Sequence, residues 1–151
     1  GASDILINTH LPQESSVGLA FTIVELASQE VLKRVSVDAV QALQLKDQGL
    51  PADILLYVKS YDDFDIRARM FAPLDGVRED PATGSANCAL VALLSHYSAE
   101  IDGDFRWRIS QGVEMGRPSV LMGRSKKRNG QVLEVWIAGN SVLVSEGTLI
   151  V

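Results

Sequence analysis

The stretch that decides the fold reads Glu79-Asp80-Pro81-Ala82-Thr83-Gly84-Ser85-Ala86-Asn87 and continues without a break into Cys88-Ala89-Leu90-Val91-Ala92-Leu93-Leu94. The second segment is apolar throughout and consists mostly of residues that form helices readily. A helix that is apolar on every side has no face for water, so we expect this helix to run through the centre of the fold.

The segment before the helix has small side chains that leave its main-chain N–H groups uncovered. At a helix start such groups lack intrahelical partners and carry the positive end of the helix dipole. We expect Thr83 or Gly84 to be the N-cap, so that the amides of Gly84, Ser85 and Ala86 can hold a carboxylate or another anion. Asp80 would lie within a turn of that group, placed to give or accept a proton. The same residue types cap helices that bind nothing, so spacing alone favours a structural cap.

Length and composition indicate one domain, residues 1–151, with an ordinary globular make-up of 46% hydrophobic and 22% charged residues. The net charge of −5 argues against nucleic acid or an anionic membrane as a partner. The lone cysteine, Cys88, excludes an internal disulfide, and the two histidines have no metal-ligand spacing. The sequence has no apolar run long enough to span a bilayer. We therefore predict a cytoplasmic protein without a metal.

Strand patterns dominate the rest of the chain. They cover residues 19–26, 54–59, 66–71, 105–110, 119–123, 131–138 and 142–144. We expect two peripheral helices with caps at Ser28 and Ser36, the second with Val40 and Leu43 on its inner face and Leu45 as a further candidate. The basic residues 124–128 are interpreted as a solvated hairpin tip. These patterns predict an α+β domain in which a curved, mostly antiparallel sheet wraps around the central apolar helix.

Several short motifs resemble the signature of the PhzF-like phenazine biosynthesis family. They are found at residues 69–73, 76–77, 79–86, 111–112, 116–119 and 135–139, with Gly147 near the end. The resemblance covers nearly the whole chain and implies the diaminopimelate-epimerase-like fold. In that fold two similar halves, each a sheet around a central helix, enclose the active site between them. This chain looks like the second half only.

The resemblance implies proton movement on a small carboxylic acid, without a cofactor. The catalytic glutamate of the family lies in the first half, after a Gly-Asn-Pro motif that this sequence does not contain. By position, Asp80 matches the acidic active-site residue of the second half, and Ser85 matches a substrate-contacting residue. Thr83, Gly84 and Ala86 match the anion site at the helix start. The isolated chain is expected to lack turnover, and Glu79 is not assigned a catalytic role.

Two alternatives to the isomerase remain open at this point. In the first, the chain is a non-catalytic module that binds small anions. In the second, it forms a homodimer in which two copies imitate the two-domain enzyme. A thiol racemase is disfavoured because Cys88 lies inside the apolar helix. Arg69 in its strand is expected to pair with Glu79 or Asp80, and Arg117 either reaches an anion or is a surface residue.

Overall fold

A curved nine-stranded sheet surrounds the central helix in the computed structural model, which describes residues 1–150. The spatial order is β1-β3-β4-β5-β7-β8-β9, with β2 paired to β3 and β6 to β5. The strands are β1 (Ile5–Leu6), β2 (Gln13–Ser16), β3 (Ala20–Leu26), β4 (Ile54–Lys59), β5 (Ile66–Ala72), β6 (Val77–Asp80), β7 (Gly103–Gln111), β8 (Ser119–Arg128) and β9 (Gln131–Gly139). The helices are α1 (Gln29–Arg34), α2 (Ala39–Asp47) and α3 (Gly84–Tyr97). Among the strand pairs of residues 1–150, only β3–β4 and β5–β7 are parallel, so the mostly antiparallel sheet is confirmed.

The apolar helix α3 occupies the centre, as predicted. Ala86, Ala89, Leu90 and Val91 are 0% exposed. The helix contacts β2 and β3 near one end of the sheet and β8 and β9 near the other, which shows that the sheet wraps around it. A Cβ atom at Gly123 in β8 would lie 2.5 Å from Cγ2 of Val91, so only glycine allows this close approach.

Two short helices cover the opposite face of the sheet, over a second apolar cluster that includes Leu32 and Phe71. Ser28 caps α1 as predicted, accepting a hydrogen bond from the amide of Val31 at 3.3 Å. The prediction for α2 is wrong, because its N-cap is Asp38 rather than Ser36, with Gln41 completing a capping box.

The predicted inner face of α2 is wrong for Val40 and Leu43 and right for Leu45. Val40 and Leu43 are 65% and 50% exposed, whereas Ala42 is buried and Leu45 packs against the cluster. Positions 42 and 45 share one side of a helix, and this side is the one that faces the sheet.

The basic segment before the β8–β9 turn is part of a strand, not a solvated tip. Only Asn129 and Gly130 form the turn, with φ angles of 52° and 75°. Lys127 is buried, and its Nζ donates to the carbonyl oxygens of His96 at 3.1 Å and Ser98 at 2.9 Å. It therefore satisfies main-chain acceptors at the carboxyl end of α3, where cations are favoured.

Two further expectations about local structure are corrected. Residues 13–16, which lie outside the predicted strands, form β2 because β3 offers an antiparallel partner. Residues 142–144 form no strand, and Val142, Leu143 and Val144 are 83–87% exposed because nothing within residues 1–150 pairs with them. In the described part of the chain, no helix has the length and apolarity needed to cross a membrane.

Candidate active site at the start of the central helix

The start of α3 has no side-chain cap. Thr83, one of the two predicted positions, is the N-cap, but its Oγ1 donates a hydrogen bond to Oδ2 of Asp80 instead of accepting one from the helix. The first main-chain hydrogen bond of the helix is donated by the amide of Asn87 to the carbonyl oxygen of Thr83, at 3.1 Å. Within residues 1–150 the preceding three amides, at 84–86, have no hydrogen-bond acceptor. They point out of the helix start and can bind an anion.

Asp80 reaches this place because of strand register. It is the last residue of β6 and lies opposite Met70 of β5. Residues opposite each other on paired strands share a face, and Met70 belongs to the core cluster around α3. The preceding residue, Glu79, consequently faces the other side of the sheet, where Arg69 binds it at 2.8 Å. Of the two adjacent carboxylates, only Asp80 is beside the helix start.

A buried amide network supports Asp80 and Thr83 from behind. Gln111, at the end of β7, is 0% exposed, and its Nε2 donates to the Asp80 carbonyl at 2.7 Å and to Thr83 Oγ1 at 2.9 Å. Its Oε1 accepts from Asn87 Nδ2 at 2.7 Å. Asn87 Nδ2 also donates to the Thr83 carbonyl at 2.8 Å. These contacts fix the loop between β6 and α3 in one conformation.

The loop after β7 packs directly on the approach to the helix. Gly112 has a φ of 79°, and a Cβ atom there would lie 2.3 Å from the carbonyl oxygen of Arg117 and 2.9 Å from that of Pro81. A side chain at this position would separate the two loops. The Gln111-Gly112 dipeptide therefore provides both a hydrogen-bonding side chain and a close backbone contact.

An open groove of about 820 Å³ lies beside the helix start. This volume lies in the range of small-molecule sites. The groove is formed where the beginning of β8 meets the end of β9 and the start of α3. It is lined by Ala82, Gly84, Arg108, Pro118, Ser119, Val120, Leu121, Met122, Ile137, Ala138, Gly139 and Asn140. Arg108 supplies a cation, and its Nη1 is held by the Asp63 carbonyl at 2.8 Å. The groove thus combines an apolar wall with donors and one positive charge.

The structure brings together all the residues that the sequence nominated at the helix start: Asp80, Thr83, Gly84, Ser85 and Ala86. Glu79 is bound to Arg69 on the other face of the sheet. Arg117 is exposed and belongs to the loop that packs on the approach to the helix. Burial raises the pKa of the Cys88 thiol, which disfavours its thiolate form. Within residues 1–150, no group of His, Cys, Asp and Glu could hold a metal ion.

Sequence reasoning assigned no role to Gln111, Asn87 or Arg108. Gln111 lies in one of the motifs and Asn87 directly follows another, but nothing in their spacing shows that two amides from distant segments would meet beside Thr83. Arg108 lies in β7, where partly buried and exposed side chains alternate, and the residues on its exposed face form no recognisable functional motif. The only available signal was that a glutamine precedes a glycine at the end of this alternating strand, which is a weak signal.

Comparisons with known proteins agree on one family. A family model described as "Phenazine biosynthesis-like protein" matches residues 3–147. The chain is 31% identical to an uncharacterized isomerase of Deinococcus radiodurans over 97% of this chain and 48% of that protein. It is 42% identical to a trans-2,3-dihydro-3-hydroxyanthranilate isomerase of Pseudomonas chlororaphis over 56% of this chain and 30% of that protein.

A solved structure has the same fold. The crystal structure of the Bacillus anthracis phenazine biosynthesis protein, PhzF family, superposes with a TM-score of 0.74 and 25% identity over 90% of this chain and 47% of that one. This likeness confirms the fold that the motifs implied. The chain spans about half the length, or less, of the relatives it matches.

Proposed function

From the premise that this chain belongs to the phenazine biosynthesis-like family, we propose that it forms the C-terminal half of an isomerase. The enzyme moves a proton on a small carboxylic acid and needs no cofactor. Asp80 is the catalytic residue of this half, and Thr83, Gly84, Ser85 and Ala86 bind the substrate. The names of the isomerase relatives support the reaction class.

One observation carries this proposal: three main-chain amides without an acceptor in the described chain lie next to a carboxylate held by Thr83. Amides at a helix start bind the carboxylate of an acid substrate through hydrogen bonds and the helix dipole. Asp80 is then within reach of the carbon skeleton of the bound acid, where it orients the substrate or returns a proton to carbon.

The second carboxylate of the reaction belongs to an N-terminal half. In the proposed reaction, that carboxylate removes a proton from one carbon of the acid, and the proton is returned at another carbon of the same molecule. Closure of two halves over the groove excludes water and keeps the acid and base in place. A chain without that half binds the acid weakly and does not turn it over. The cytoplasmic location remains a prediction.

The test is deuterium incorporation from heavy water into trans-2,3-dihydro-3-hydroxyanthranilate and related small acids, followed by NMR. The chain is assayed alone and joined behind the N-terminal half of the Deinococcus radiodurans relative, which it matches over 97% of its length. We expect incorporation only in the joined protein, and a loss of at least about 100-fold in Asp80→Asn. The exposed Asp47→Asn is the matched control. Turnover by the isolated chain would overturn the dependence on a second half.

A homodimer is the second candidate, favoured by one observation. Val120 and Met122 line the groove at the helix start and are exposed, so the groove has an apolar rim that a second body would cover. Two copies related by a twofold axis would bring two helix starts together. Sedimentation distinguishes the dimer from a monomer, and a dimer that binds acids without exchanging protons would instead be a binding module.

A further inference from the structure

The hydrogen bonds behind the candidate site form one continuous chain that runs from Asn87 to Asp80. Asn87 Nδ2 donates to Gln111 Oε1, Gln111 Nε2 donates to Thr83 Oγ1, and Thr83 Oγ1 donates to Asp80 Oδ2. Asn87 and Gln111 are both 0% exposed, so water does not compete for these groups. Each member gives a hydrogen to the next, and the chain ends on a carboxylate.

Two main-chain carbonyl oxygens fix the direction of this chain. The Thr83 carbonyl, at 2.8 Å, accepts from Asn87 and therefore requires the NH₂ end of that amide. The Asp80 carbonyl, at 2.7 Å, requires the NH₂ end of Gln111 in the same way. Carbonyl oxygens cannot donate, so neither amide can turn over without placing oxygen against oxygen. Asn87 keeps this orientation although its Oδ1 has no partner in the described residues.

The fixed direction determines where the hydroxyl hydrogen of Thr83 points. Thr83 Oγ1 already accepts a hydrogen from Gln111, so its own hydrogen is directed to Asp80 Oδ2. That oxygen of the carboxylate is thereby occupied. The other oxygen, Oδ1, has no hydrogen-bond partner within residues 1–150 and is the one left for a ligand.

We propose that Gln111 is a positioning residue that acts through Thr83 to hold the Asp80 side chain in one rotamer with Oδ1 presented to the substrate. This inference rests on the proposed function for its consequence in catalysis, but the positioning itself is a property of the chain. A leucine or methionine of similar size would fill the same space without fixing the hydroxyl. A glutamate would offer only acceptors and would attract the Thr83 hydroxyl away from Asp80.

The experiment compares the chain with Gln111→Met, which keeps the side-chain volume and removes its hydrogen bonds. Three-bond NMR couplings of the Asp80 and Thr83 side chains report whether each occupies one rotamer. We expect one rotamer in the unmodified chain and averaged rotamers in Gln111→Met. The exposed Gln131→Met is the matched control and leaves the couplings unchanged. The side-chain amide hydrogens of Gln111 should exchange at least about tenfold more slowly than those of Gln131.

A second pair of variants tests the last link without altering the buried amide. Thr83→Val removes the hydroxyl and should average the Asp80 rotamers, whereas Thr83→Ser keeps the hydroxyl and should retain one rotamer. Should Gln111→Met fail to fold, this pair and the amide exchange still decide the matter. A single Asp80 rotamer in Thr83→Val, or fast exchange of the Gln111 amide, would overturn the proposal. Deuterium incorporation is measured separately, so failure of the isomerase proposal is distinguishable from failure of this one.

Discussion

Arg69 and Glu79 form a two-point ion pair on the face of the sheet opposite the candidate site. Arg69 Nε and Nη2 donate to the two carboxylate oxygens of Glu79 at 2.9 and 2.8 Å. The remaining nitrogen, Nη1, donates to the carbonyl oxygens of Leu32 at 2.8 Å and Val35 at 2.9 Å, at the end of α1. One guanidinium group thus connects β5, β6 and α1. It also binds both carboxylate oxygens of Glu79, the residue next to Asp80 in the sequence.

Replacing Glu79 by glutamine should destabilise the fold. Both partners are close to nine-tenths buried, and removing one leaves the other charge uncompensated. We expect Glu79→Gln to lower the free energy of unfolding by about 3 kcal/mol, measured by urea denaturation. Glu134→Gln, which breaks the exposed pair with Lys126, should change it by less than about 0.5 kcal/mol. Full stability in Glu79→Gln together with lost turnover in the joined two-half protein would instead make Glu79 a catalytic residue.

Lys127 should stabilise α3 from outside the helix. Its buried ammonium satisfies the carbonyls of His96 and Ser98. Lys127→Met keeps most of the side-chain volume but leaves those acceptors unpaired, so we expect a loss of about 2 kcal/mol in thermal or urea unfolding. Lys126→Met, one residue earlier on the more exposed side of β8, serves as the control and should lose less than about 0.5 kcal/mol. Equal losses would show that Lys127 contributes nothing specific.

Gly112 should tolerate no side chain, whereas Gly116 in the same loop should tolerate one at moderate cost. Both have positive φ angles, 79° and 76°, so alanine strains the backbone equally at each. Only at Gly112 does a Cβ atom collide with neighbouring backbone, since nothing lies within 4 Å at Gly116. We expect Gly116→Ala to lower the unfolding free energy by about 1–2 kcal/mol. Gly112→Ala should lose at least about 2 kcal/mol more, as for other overpacked sites. Similar losses for the two variants would contradict the close packing against Pro81.

Stability should fall at alkaline pH because of Tyr57. Burial raises the pKa of its phenol, and the neighbouring Glu25 carboxylate, 3.0 Å from the hydroxyl oxygen, raises it further. Above pH of about 10 the unfolded chain releases this proton while the folded chain retains it, so the unfolded state binds fewer protons and stability decreases as pH rises. The slope contributed by one such group reaches about 1.4 kcal/mol per pH unit.

The measurement is urea unfolding between pH 9 and 11. Tyr57→Phe should show a smaller decline over this range than the unmodified chain, although it is less stable at neutral pH because Glu25 loses a donor. Tyr61→Phe is the control, since Tyr61 is 95% exposed and should leave the slope unchanged. A decline in Tyr57→Phe as steep as in the unmodified chain would assign the alkaline loss to other groups.

The fold was predictable where a local pattern has only one interpretation. The unbroken apolar run before Ser95 is a helix that needs burial on every side, and the alternating strands need a common partner. Prediction failed where contacts from outside a segment, rather than its own pattern, determine its structure. Residues 13–16 carry no strong strand pattern of their own and form β2 because β3 supplies the hydrogen bonds. From the sequence, Lys127 is expected at the surface. Its burial is explained only by the carbonyl oxygens at the end of α3, to which its ammonium group donates hydrogen bonds.

The sequence by itself determined the central helix, and it narrowed the N-cap to Thr83 or Gly84 beside the carboxylate of Asp80, because apolar patterning and capping signals depend on neighbours within a few residues. The tertiary structure alone decided which of two adjacent carboxylates faces the helix start, since that follows from the register of β6 on β5. It alone decided that Gln111 and Asn87 stand behind Thr83. Hydrogen bonds between residues 24–31 positions apart depend on how the strands pack around the helix, and local sequence carries no record of that packing.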